Sequence, residues 1–208
     1  MLPLNERDRK VLGRMLREIR RPITLTLWGP DGTGAGQAAE LLAPLAALGP
    51  TLTLVRDRTA HPAAPEAPVI TLHPDGGEAR GLVFAGVPGG YLFAGLVQLL
   101  SDFDTAPPPW DPAVRRRLRR LGGSWSLVVY VAANCPPCPW VMRLAHRLAL
   151  ARPERFFALA VDAGLAPGVD AVPLTVVRDA RTDVERGRMQ GFWRPEGLLS
   201  LLTRPAPA

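Results

Sequence analysis

The sequence predicts an α/β protein built from two fused units of the same plan, with a mixed β-sheet flanked by helices. Three observations carry the prediction. Short apolar, β-branched runs alternate with patterns of helical period along the whole chain. The order helix, strand, helix, strand, strand, strand, helix occurs twice. A stretch from Asp102 to Trp110, with Pro107, Pro108 and Pro109 in a row, separates the two occurrences.

The elements follow in order. Glu6 to Arg20 reads as an amphipathic helix with Val11, Leu12, Met15, Leu16 and Ile19 on one face. Ile23 to Trp28 is a strand, Gly29 to Gly36 a glycine-rich turn, and Gln37 to Leu48 a helix. Strands are expected at Leu52–Val55, Val69–Leu72 and Leu82–Ala85, with a hairpin turn at Asp75-Gly76-Gly77, and Tyr91 to Leu100 closes the unit as a helix. After the linker come a helix at Asp111–Leu121, a strand at Ser126–Ala132 and a helix ending near Leu150. Strands at Phe156–Val161, Leu174–Val177 and Val184–Gly187 follow, then a last helix at Pro195–Leu202. The division is residues 1–101 as a unit without cysteines, 102–110 as linker, and 111–208 as the unit that carries them.

An offset of 105 residues superposes Pro68 on Pro173 and Gly86 on Gly191. Held constant, it places Thr24–Trp28 on Val129–Ala133, and Pro30 and Thr33 where the second unit has Cys135 and Cys138. The first unit would thus keep the scaffold without the sulfur.

Composition narrows the class. Apolar residues make up 47% of the 208, enough for a globular core. No apolar run approaches the ~20 residues of a membrane span. The charged start, Asn5-Glu6-Arg7-Asp8-Arg9-Lys10, is unlike an export signal, so a cytoplasmic location is expected. The net charge of +6 rests on arginine, Lys10 being the sole lysine, and its densest cluster is Arg115–Arg120. That cluster reads as the solvated face of a helix, and no nucleic-acid motif accompanies it.

The chemistry concentrates in Asn134-Cys135-Pro136-Pro137-Cys138-Pro139, which holds both cysteines. A strand precedes it and a helical pattern (Val141, Leu144, Ala145, Leu148) follows, the setting in which Cys-x-x-Cys is redox-active. With the helix starting at or just after Cys135, that thiolate faces unpaired N–H groups and the positive end of the helix dipole, which lowers its pKa. Cys135 is therefore the expected nucleophile and Cys138 the resolving thiol. Pro136 and Pro137 lack N–H groups, so Cys135 should be less acidic than in strongly oxidising pairs, which favours a reductant. A structural staple would gain little from so short a loop. Zinc needs four ligands, and His61, His73 and His146 stand at no ligand spacing, so no metal and no bound cofactor is expected. Gly29–Gly36 lacks the lysine and hydroxyl of a phosphate loop. Trp28 is expected to pack rather than bind, and Trp140 and Arg143 to be surface or core residues.

The strand leading into Cys-x-x-Cys, with Val172-Pro173 before a later strand, resembles the thioredoxin/glutaredoxin fold. Two fused thioredoxin-like units with cysteines only in the second resemble the N-terminal domain of the alkyl hydroperoxide reductase flavoprotein. Phe84-Ala85-Gly86-Val87-Pro88 and Gly187-Arg188-Met189 add to that likeness. The resemblance implies a redox-active Cys135–Cys138 disulfide and a cis Pro173, with Val172 and Pro173 holding the substrate backbone; the register suggests the same isomer for Pro68. It implies a protein-disulfide reductase whose partners are a peroxiredoxin-type disulfide protein and a flavoprotein reductase such as a thioredoxin reductase. The flavoprotein's FAD and NAD(P)H domains have no counterpart here. The strand before the cysteines is apolar from Leu127 to Val131, where relatives often place a buried carboxylate. The alternative is a non-catalytic interaction module whose first unit docks a partner around Pro68 and Phe84.

Overall fold

The computed structural model describes residues 5–74, 82–104 and 110–203. The expected hairpin turn at Asp75–Gly77 and the prolines Pro107–Pro109 lie outside the described residues. In the first unit the elements are α1 (Glu6–Arg17), β1 (Ile23–Trp28), α2 (Ala35–Leu48), β2 (Leu52–Asp57), β3 (Val69–Pro74), β4 (Leu82–Ala85) and α3 (Tyr91–Asp104). The second has α4 (Pro112–Arg120), β5 (Trp125–Val131), α5 (Cys138–Ala151), β6 (Phe156–Asp162), a 3-10 turn (Ala163–Leu165), β7 (Leu174–Asp179), β8 (Glu185–Gln190) and α6 (Pro195–Leu202).

The eight strands form one sheet in the order β2-β1-β3-β4-β6-β5-β7-β8. In each unit the first strand pairs parallel with the second and antiparallel with the third. The units join through the parallel pair of β4 and β6, from Leu82 opposite Ala158 to Ala85 opposite Val161. One apolar core runs across the join, from Leu25 and Leu42 through Phe84 and Leu96 to Val129 and Met142. Each such side chain contributes about 1.5–3 kcal/mol by leaving water.

Several boundaries differ from the sequence expectation for visible reasons. α1 stops at Arg17 rather than Arg20, with Glu18 as the C-cap whose N–H turns back to Met15 O and Leu16 O. Val11 is 54% exposed, so the buried face of α1 is carried by Leu12 and Leu16. α3 continues past Leu100 because Asp102 and Phe103 are buried. α4 turns Val114 and Leu118 inward and Arg115, Arg116, Arg119 and Arg120 outward.

The repeat is real in topology but its register drifts. Leu25 pairs with Leu72, and Leu127 with Val177, so β1 and β5 are related by 102 residues rather than 105. Leu54 and Ala158 occupy equivalent places, an offset of 104. Only the last part of each unit keeps 105: Gly86 N–H donates to Pro68 O, and Gly191 N–H to Pro173 O, each at 2.8 Å. Loops absorb the insertions, as exposed connections do most readily. The first residue of α2, Ala35, therefore stands where α5 has Cys138, and Gly32 where it has Cys135; the constant offset had named Thr33 and Pro30.

Candidate functional site

β5 is an interior strand whose Leu127, Val129 and Val131 are fully buried. It delivers the chain into a tight turn in which Cys135 N–H donates to Ala132 O at 3.1 Å and Cys138 N–H to Cys135 O at 3.3 Å. Cys135 and Cys138 are disulfide-bonded, with Cα atoms 5.4 Å apart. Cys135 is 8% exposed and Cys138 is fully buried, so the pair meets solvent through Cys135 alone, and only narrowly.

The helix begins later than expected, at Cys138 rather than Cys135. Pro136 and Pro137 form the turn, Pro137 is the N-cap, and Pro139 occupies the first helical turn, where its missing N–H leaves no hydrogen bond unmade. Of the N–H groups at this helix start, that of Cys138 is directed to Cys135 O and Pro139 has none. The turn is thus poorer in donors than most helix N-termini.

The Val172–Pro173 bond is cis, and it is the only cis peptide among the described residues; Pro68 is trans, against the register's suggestion. In the first unit no disulfide fills the turn, and the glycines draw close to Pro68: a Cβ on Gly29 would lie 3.4 Å from its Cα, and one on Gly34 3.8 Å from its ring. Because Tyr130 pairs with Leu174, Pro173 comes level with Val131, at the end of β5 from which the cysteine turn departs. Pro173 O accepts from Gly191 N–H and from Gln190 Nε2 at 3.1 Å. Among the described residues, no backbone group pairs with the N–H or C=O of half-buried Val172.

Trp140, on the first turn of α5, is 59% exposed, and Phe192, just after Gly191, is 62% exposed. Arg143 points away from solvent: its Nε and Nη2 grip the two oxygens of buried Asp102 on α3 at 2.5 and 2.7 Å. That hydrogen-bonded carboxylate raises the Arg143 pKa above its ordinary value. Buried His146, also on α5, places Nδ1 2.8 Å from Met142 O and Nε2 3.1 Å from Val83 O on β4. Burial lowers its pKa, with the two carbonyls opposing.

Other expectations resolve plainly. Trp28 packs, its Nε1 donating to Thr71 Oγ1 at 2.8 Å and its ring edge-on to His61. Pro68 and Phe84 are both buried, so neither offers surface to a docking partner. Among the described residues no three His, Cys, Asp or Glu side chains gather as a metal site would require, and no helix is long and apolar enough to cross a membrane.

Reading the two units separately missed how closely α3 of the first approaches the cysteine turn of the second. Tyr91 N–H donates to Ala133 O at 2.9 Å. Gly89-Gly90 before a helix and Gly95 inside it were the available signals, since a helix-interior glycine costs about 1 kcal/mol against alanine and marks close packing.

No family model matches the sequence. The alkyl hydroperoxide reductase AhpF of Pseudomonas putida is 26% identical over 139 residues, 67% of this chain and 26% of that protein. The match therefore spans about a quarter of the relative's length. Among solved structures, the alkyl hydroperoxide reductase AhpF of Enterococcus faecalis superposes with a TM-score of 0.81 at 19% identity, covering 97% of this chain and 100% of that one. A protein disulfide oxidoreductase from Aeropyrum pernix gives 0.80 at 18% identity, covering 97% and 93%. The fold is thioredoxin-like, and the chain is related to the N-terminal domain of the alkyl hydroperoxide reductase AhpF.

Proposed function

We propose that this chain is a cytoplasmic thiol–disulfide oxidoreductase: a dithiol carrier that reduces a protein disulfide, with the disulfide of a peroxiredoxin as its target class. The supporting observation is the bonded Cys135–Cys138 pair at a turn that leaves β5 where cis Pro173 comes level with it, the backbone of neighbouring Val172 being unpaired among the described residues. The protein-disulfide oxidoreductase fold and the kinship with a hydroperoxide reductase point the same way.

In the reduced protein the Cys135 thiolate attacks one sulfur of the target disulfide. A mixed disulfide forms and the target's other sulfur leaves as a thiolate, taking a proton from solvent. Val172 N–H and C=O pair with the target's extended backbone beside Pro173, which holds the scissile bond in line. Cys138, now deprotonated, attacks Cys135 Sγ, and the second target sulfur leaves. Two electrons have passed to the target, and the carrier is left as the disulfide seen here. A flavoprotein reductase, such as a thioredoxin reductase, returns two electrons and two protons. The burial of Cys138 restricts first attack to Cys135. The apolar β5 offers no carboxylate to take the Cys138 proton, so resolution should be slower than attack.

The test is trapping. Cys138→Ser, incubated with an oxidised peroxiredoxin, should accumulate a mixed disulfide through Cys135, whereas Cys135→Ser should accumulate none and reduce nothing. Reduction by Cys135→Ser at the wild-type rate, or a wild-type protein that never turns over, would sink the proposal.

A further inference from the structure

The first unit has no cysteine of its own, yet its last helix brackets the cysteine pair of the second. On one side, Tyr91 N–H, at the first residue of α3, donates to the carbonyl of Ala133, two residues before Cys135. Gly90 approaches that carbonyl so closely that a Cβ there would lie 2.3 Å from Ala133 O, and its φ of 55° also suits only glycine well. On the other side, a Cβ at Gly95 would lie 2.8 Å from Cβ of Pro139, the residue after Cys138, and 2.9 Å from Cε of Met142. Lower on the same helix, Asp102 takes the fork of Arg143. The sequence of the second unit lacks these features at the matching places: at the offset of 105, Pro195 stands for Gly90 and Ser200 for Gly95. Helix α6 packs chiefly against α4 and β8.

We propose that Gly90, Tyr91 and Gly95 are positioning residues through which the cysteine-free unit sets the thiol–disulfide equilibrium of Cys135 and Cys138. The inference rests on the redox reading above. The cradle is formed around the bonded pair, so loosening it withdraws support from the disulfide and favours the dithiol. It also gives the first unit a chemical role: it is the wall against which the active turn is built.

The test uses the full chain equilibrated in glutathione redox buffers, with the disulfide fraction read by thiol alkylation. Tyr91→Pro replaces the N–H that reaches Ala133 O at 2.9 Å with a ring carbon too large for that space, so it removes the bond and also pushes α3 off the cysteine turn. It should shift the equilibrium toward the dithiol by at least about threefold, the loss of one net hydrogen bond setting the lower end. Gly95→Ala, which pushes α3 off Pro139, should shift it the same way. Gly197→Ala on α6, where a Cβ meets only Met189 Cε at 3.6 Å, should leave it unchanged. If Tyr91→Pro and Gly95→Ala lower Tm yet keep the wild-type equilibrium, the helix is merely structural and the inference falls alone. A wild-type pair that never exchanges with glutathione overturns the redox reading and this inference with it.

Discussion

After β1 the strand-to-helix turn of the first unit is laced by polar groups. Arg56 donates to Leu27 O at 3.1 Å and to Gly29 O at 2.7 Å, and Thr33 Oγ1 to Pro30 O at 2.7 Å. After β5 the same turn is closed by a disulfide and stiffened by prolines. The position of Arg56 is taken in the second unit by Ala160, a fully buried residue. A turn without the covalent link is thus tied instead by side-chain donors to its carbonyls. Everything beneath the turn is common to both: strand order, parallel and antiparallel pairings, and the glycine bond to the carbonyl of Pro68 or Pro173. The same scaffold is built with the disulfide turn and without it.

That comparison can be pressed at the shared core. Leu25 and Leu127 stand at equivalent places and are both fully buried. Leu25→Ala and Leu127→Ala should each cost about 2–5 kcal/mol in denaturant unfolding. Because one core spans both units, each variant should still unfold in a single transition. A Leu25→Ala protein that melts in two separate steps would show the units to be energetically independent.

A smaller effect sharpens the join between them. His146 links α5 to Val83 of the first unit, and burial holds its pKa below the ordinary value. The sign follows from that direction. Below about pH 6.5 the unfolded chain takes up a proton that folded His146 resists, so stability falls as pH drops, by at most about 1.4 kcal/mol per pH unit. His61, also held low by burial, adds to the same trend. Between pH 6.5 and 5, above the range where the carboxylates titrate, His146→Gln should flatten most of the slope measured by urea unfolding. An unchanged slope would assign it elsewhere.

Most of the scaffold could be read from the residues. β1, β4 and α6 have the limits that their apolar runs and Pro195 suggest, and the cysteine spacing marked the turn that carries the disulfide. What escaped was non-local. The constant repeat offset failed because small insertions between landmarks leave no mark that periodicity can detect, so only the observed helix starts set Ala35 at the place of Cys138. Pro68 is trans where the register suggested cis, and the glycines that approach it come from another loop. The approach of Gly90 to Ala133 depends on how two units meet, and no pattern within either one encodes it.

The most direct measurement is the reduction potential of the Cys135–Cys138 pair in the intact chain, from equilibration against glutathione and dithiothreitol. A turn short of N–H donors stabilises the thiolate poorly, so the account predicts a reducing pair, near or below roughly −270 mV. A value of roughly −120 to −180 mV would instead make the protein an oxidant or isomerase and contradict the account.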